Sequence, residues 1–169
     1  LDLNYRVMFG NWLLQNGKKK EALQKYRDVL KEDSDNSLAK VSMMDYYNNI
    51  GDKASVKTIL RELLQSPKTA QTLKLELLRQ VIASSQKDNN PDSTEVLRLF
   101  SEALAVPQEN ADIYMLKAAY MSFLKLPKPD ITRVYERAIE IEPDNSSARI
   151  ALIQNIWDTH DYDKVIAIC

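Results

Sequence analysis

An all-α solenoid of stacked helix-turn-helix units is the fold class predicted by three features. Glycine is scarce, apolar residues recur at helical spacing, and the chain repeats itself every 34 residues. The 169 residues suit one compact domain or one stretch of a repeat array. Three glycines in that length leave no room for glycine-rich phosphate loops, dinucleotide-binding turns or a family of tight hairpins. Twenty-three Lys and Arg against 24 Asp and Glu give a net charge of −1, so no overall field recruits nucleic acid or an anionic membrane. The longest apolar run is Val165 to Cys169, too short to cross a bilayer, and direct membrane insertion is not expected.

The period organises the elements in order. Gly17 and Gly51 lie 34 apart, each after an amphipathic run. Ala22, Val56, Val96, Ile131 and Val165 form one column with spacings of 34, 40, 35 and 34. Tyr26, Leu60, Phe100, Tyr135 and Cys169 form a second with the same spacings, and Val29, Leu63, Ala103 and Ala138 follow the first three of them. Around each column the apolar residues mark one face of a helix, as in Ala22, Leu23, Tyr26, Val29 and Leu30. Pro67, Pro107 and Pro143 stand a few residues beyond these stripes, where a helix must stop. Asn36, Asn110 and Asn145 precede the next amphipathic runs and supply oxygens for unpaired first-turn amides. The spacing predicts units of about 3–36, 37–70, 71–110, 111–145 and a partial 146–169, in a single array over 1–169. The third unit holds six extra residues, expected as a longer loop around Gln86 to Asp92. The fourth holds one, expected in Lys125 to Pro129, and Asp92-Ser-Thr-Glu95 reads as a capping box.

Gly10, Gly17, Ala22, Tyr26 and Leu30 in the first unit, and Ala118, Tyr135, Ala138 and Ile141-Glu-Pro-Asp-Asn145 in the fourth, resemble the signature of the tetratricopeptide repeat. The likeness extends along essentially the whole chain, and His160 to Lys164 resembles the turn of a fifth repeat. A narrower similarity is to uncharacterised Bacteroides-type bacterial proteins of this family. The resemblance implies that the units wind as a right-handed superhelix and that the first helix of each lines a concave groove that mediates protein-protein interaction or complex assembly. Its groove places fall on Asn4, Val7, Asn11, Leu14 and Gln15, then Leu38, Val41, Asp45, Asn48 and Asn49. Arg79 in the third unit, Phe123 in the fourth, and Gln154 and Trp157 in the fifth continue the set. Amides can hydrogen-bond an extended backbone and aromatics supply contact area, which points to a protein or peptide partner. Trp157 is the first choice for a hot spot, worth ~2 kcal/mol or more. The family's lysine and asparagine clamp for acidic C-termini is not met. Asn11 matches, but Val7 stands at the lysine place and Asp45 adds negative charge. Each site residue also has a plainer reading: Phe123 and Trp157 as packing, Asn48 and Asn49 as a helix end before Gly51, and Tyr46-Tyr47 as core.

Catalysis, metal and cofactor find no constellation. The one histidine, His160, falls in a turn, and one His with one Cys cannot make a zinc set. Asp88 to Asp92 lacks the glycine and closing glutamate of a calcium loop and reads as a polar connection. Lys18-Lys19-Lys20 reads as solvated surface. The function expected is therefore a non-enzymatic binding scaffold with no nucleic-acid partner. The alternatives are a structural spacer in a larger protein and an RNA-processing scaffold, the latter from the likeness of Arg133 to Ala138 to a half-a-tetratricopeptide helix. A start at Leu1 and a stop inside an amphipathic run suggest a segment of a longer protein. On that view the open face at Val165, Ile166 and Ile168 needs cover, and end-to-end self-association is one remedy. Compartment is unread beyond a slight preference for a bacterial envelope or periplasm over cytoplasm, since a single cysteine suits either.

Overall fold

The computed structural model describes residues 2–87, 92–157 and 162–168. Among them the chain forms ten α-helices and no strand. They are α1 (Leu3–Gln15), α2 (Lys19–Glu32), α3 (Ser37–Ile50), α4 (Lys53–Gln65), α5 (Gln71–Lys87), α6 (Ser93–Ala103), α7 (Asp112–Phe123), α8 (Lys128–Ile141), α9 (Ser146–Ile156) and α10 (Tyr162–Ile168). The helices fall into two compact units, Leu1–Ala70 and Gln71–Cys169, whose boundary coincides with a repeat boundary read from the period.

In the first unit α1 folds back on α2, α2 packs on α3, α1 also meets α3, and α3 folds back on α4. The core is the expected set: Ala22, Tyr26 and Val29 from α2 are fully buried against Val7 and Leu13 of α1 and Ala39 and Tyr46 of α3. Leu60 and Leu63 take the same places in α4. Gly10 explains why a large aromatic fits at Tyr26. A β-carbon on Gly10 would lie 2.5 Å from Tyr26 Cε1 and 3.0 Å from Cδ1, so only glycine lets the ring seat against the α1 backbone. Tyr46 and Tyr47 meet edge to face at 5.3 Å between centroids, the packing role expected of them.

The second unit repeats the scheme. α5 packs with α6 and α7, α7 with α8, α8 with α9, and α9 with α10. Val96, Phe100 and Ala103 are buried in α6, and Ile131, Tyr135 and Ala138 in α8. Val165 of α10 packs onto the cluster formed by Leu152, Ile156 and their neighbours, so the cover expected for it comes from its own unit, while Ile166 stays exposed. Buried Gln71 at the start of α5 accepts from the Glu109 and Asn110 amides at 2.6 and 3.3 Å and donates to the Asn110 carbonyl at 3.0 Å. It thereby ties the entry of α7 to α5.

Capping follows the sequence closely. Asn36, Asn145 and Asp92 accept from Ala39, Ala148 and Glu95 amides at 2.9, 2.9 and 3.0 Å. Asn110 differs: α7 has Ala111 at its N-cap, and Asn110 reaches the Asp112 amide from one residue further out at 3.0 Å. Gly17 and Gly51 occupy identical places, each left-handed at φ 77°. The following amide reaches back to the helix at 2.9 Å, Lys18 to the Leu13 carbonyl and Asp52 to that of Tyr47. Lys125 closes α7 in the same way at φ 55°, with Leu126 donating to Met121 at 3.1 Å. Gly51 and Lys125 are 74 apart, the sum of the 34- and 40-residue spacings. α8 then begins three residues after Lys125, where α2 and α4 begin two after their glycines, which locates the single extra residue in this turn. The six-residue insertion is not wholly a loop. α5 continues to Lys87, three residues past the place matching the end of α3, because Ser84 to Lys87 include no helix breaker. Residues 88–91 lie outside the described residues.

Two stability tests follow. Equivalent substitutions in the turns should have opposite signs: Gly51→Ala destabilises by about 1 kcal/mol, while Lys125→Gly stabilises by about 0.5 kcal/mol, because left-handed strain at lysine exceeds the entropy glycine adds to the unfolded chain. Gly10→Ala should lower stability by roughly 1–2 kcal/mol, since displacing the buried Tyr26 ring outweighs the gain in helix propensity. Urea unfolding of the three variants measures both.

Candidate functional site

The α1–α2 and α3–α4 hairpins leave a cleft of about 590 Å³ in the first unit. Asn11, Leu14 and Gln15 line it from α1, Asp45, Asn48 and Asn49 from α3, and Lys19 from the first turn of α2. Because the period is 34, Asn11 and Asp45 are the same position in successive first helices, as are Leu14 and Asn48, and Gln15 and Asn49. The repeat itself therefore brings six of the sequence-derived groove residues to one concavity. Asn48 and Asn49 do close α3, since Gly51 donates to the Asn48 carbonyl at 3.1 Å, yet both side chains are exposed on the cleft wall.

The cleft is wired to the core by one hydrogen bond. The hydroxyl of fully buried Tyr26 donates to Asn11 Oδ1 at 2.7 Å. With its oxygen held, Asn11 keeps its amide protons for a ligand acceptor. Burial, and then the negative charge of Asp45, push the Tyr26 phenol up to about 12. Burial alone raises the Asp45 carboxyl, so the walls of the cleft disfavour its charged form.

Val7 is a correction. It is fully buried among Ala22, Tyr26 and Val29, because its side of α1 faces α2, and it belongs to the core and not to a groove. Lys19 is the opposite case, read as solvated surface yet standing on the lip of the cleft. Its place follows from the turn at Gly17, which starts α2 beside the C-terminal end of α1. The sequence reading also missed an apolar stripe on α1. Tyr5, Met8, Phe9 and Trp12 are exposed, with Phe9 and Trp12 stacked at 5.9 Å, whereas Ala39 and Tyr46, their counterparts of Tyr5 and Trp12 in α3, are buried.

In the second unit Arg79 is exposed on α5 and Gln154 on α9. Phe123 ends α7 at 64% exposure, stacked on Tyr120 at 6.4 Å, and Trp157 ends α9 at 59%. Both rings are therefore largely exposed in this unit, Phe123 with one stacking contact inside its own helix. His160 and residues 88–91 lie outside the described residues. Among the described residues no group of His, Cys, Asp and Glu is arranged to hold a metal ion, and no helix is long and apolar enough to cross a membrane.

Comparison with known proteins gives a fold. A crystal structure of MamA protein superposes with a TM-score of 0.53 at 17% identity, covering 98% of this chain and 87% of that one. A second MamA crystal structure gives 0.52 at 18%, covering 94% and 89%. A thermophilic TPR protein in Thermus thermophilus gives 0.48 at 15%, covering 99% and 88%. No family model matches the chain, and no curated protein matches it. With the signature residues at their structural places, the chain has a tetratricopeptide-type helical-repeat fold.

The Tyr26 phenol gives a pH test. Below pH 10 it is protonated in both folded and unfolded chains; between pH 10 and 12 the unfolded chain ionises it first, so stability falls as pH rises. That loss should be about 2–3 kcal/mol. Urea unfolding from pH 9 to 12 should show this part of the slope in the wild type and not in Tyr26→Phe.

Proposed function

We propose that this helical-repeat scaffold is a non-enzymatic binding module, and that the cleft between α1 and α3 holds an extended segment of a protein partner. The observation that supports it most is the gathering of four side-chain amides, Asn11, Gln15, Asn48 and Asn49, on one open concavity. Each amide both donates and accepts, so a row of them matches the alternating carbonyls and amides of an extended backbone without demanding one side-chain sequence. Leu14 adds an apolar floor between them. Arg79, Phe123, Gln154 and Trp157 are offered as further contacts in the second unit, where the two exposed aromatics supply area at modest entropic loss.

The chemistry of the cleft favours binding over turnover. Asp45 and Lys19 are its charged groups, and neither stands beside a histidine, serine or cysteine in the lining. One carboxylate and one ammonium also leave it nearly neutral, so affinity should fall only weakly with added salt.

An immobilised library of random hexapeptides tests the proposal. The wild-type chain should bind a subset, and Asn11→Ala should weaken those signals several-fold, as expected for loss of one or two hydrogen bonds. Signals unchanged in Asn11→Ala, or none above background, would place the function elsewhere and favour a spacer.

A further inference from the structure

The cleft contains two charged groups, Asp45 and Lys19, and of these the carboxylate stands among the amides. Asp45 lies on α3 at the place that Asn11 occupies on α1. Among the described residues it makes no hydrogen bond or ion pair of its own, while acidic residues nearby in the first unit do: Glu32 pairs with Arg6 at 2.6 Å, Asp35 with Lys68 at 2.9 Å, and Asp52 caps α4 through Ser55. Resting on the reading of this cleft as a peptide site, we propose that Asp45 selects a basic side chain, so that the preferred ligand is an extended peptide carrying lysine or arginine between backbone positions held by Asn11, Asn48 and Asn49.

Four observations carry this inference. The cleft volume, about 590 Å³, accommodates a few residues of an extended chain together with one long side chain. The amide neighbours of Asp45 are neutral, so nothing on the α1 or α3 wall competes for its charge. Lys19 on the α2 lip forms no ion pair with it. The remaining titratable group near it, the Tyr26 hydroxyl, is already committed to Asn11. A guanidinium or ammonium entering from solvent therefore meets an exposed, unpaired carboxylate among neutral amides, with which it can form a charge-assisted hydrogen bond. An acidic peptide would bring a second negative charge to the same place. Lys19 sets the polarity, because a bound cation is favoured on the α3 side and repelled at the α2 lip.

The hexapeptide library reads the outcome as composition. Wild-type binders should be enriched in lysine or arginine at one position. Asp45→Asn should weaken the best basic hexapeptide about tenfold, with little change for the same peptide carrying glutamine there. Asp45→Lys should shift the preference to aspartate or glutamate. Asp45→Asn should also be at least as stable as the wild type in urea at pH 7, because it removes a charge that burial disfavours. Four results would overturn the inference: binders sensitive to Asn11→Ala that show no basic preference, a preference that survives Asp45→Asn, a preference that Asp45→Lys leaves unshifted, or an Asp45→Asn chain that fails to fold. The first three of these leave the cleft itself standing as a peptide site. Absence of any Asn11-dependent binder would remove both readings.

Discussion

The seat of the Tyr26 ring on the bare backbone of Gly10 is the contact on which the rest of the first unit depends. A hairpin of two short helices cannot bury its apolar face alone, so it must pack closely within itself and against the next. Glycine at one place and an aromatic at its partner bring α1 and α2 near enough for Ala22 and Val29 to be covered as well. The same ring carries its hydroxyl out to Asn11 at the cleft. Core and cleft thus meet in one side chain, whose apolar body closes the core and whose polar tip holds Asn11.

Repetition turns that local arrangement into a surface. The positions that face the cleft on α1 have their counterparts 34 residues later on α3, so Asn11 with Asp45, Leu14 with Asn48 and Gln15 with Asn49 form rows. On the proposed reading, the row Asn11 and Asp45 is where such a surface would acquire specificity. Exchanging an amide for a carboxylate at one repeat position changes the chemistry offered to a ligand and leaves the packing of the scaffold untouched. The turn residues show the same tolerance: Gly17 and Gly51 adopt the left-handed conformation freely, and Lys125 is held in it by the same pair of backbone hydrogen bonds.

Much of this was legible in the residues because it rests on spacing. The columns through Ala22, Tyr26 and Val29 are buried at most of their places, with Val56 and Val165 half-buried and Cys169 outside the described residues, and six groove places converge on one cleft. What spacing could not resolve was rotation about a helix axis and the reach of long side chains. Val7 shares a helix face pattern with Asn11 but turns towards α2, and only the packing of Ala22 and Val29 decides that. Lys19 sits within a run of like charges that gives no reason to single it out. The stripe from Tyr5 to Trp12 is hidden because the repeat does not carry it: its counterparts Ala39, Ser42 and Tyr46 on α3 are buried and Met43 half-buried. Part of the insertion reads as loop because polar residues such as Ser84, Ser85 and Gln86 extend a helix as readily as they end one.

The link from core to cleft is tested most directly by the side-chain amide resonances of Asn11, followed by nitrogen-proton correlation in the wild type and in Tyr26→Phe. Held by the tyrosine hydroxyl, the wild-type pair should be well dispersed and ordered; in the variant it should collapse towards free asparagine while the backbone resonances of α1, α2 and α3 keep their native positions. An Asn11 pair that does not respond to loss of that hydroxyl would contradict the account.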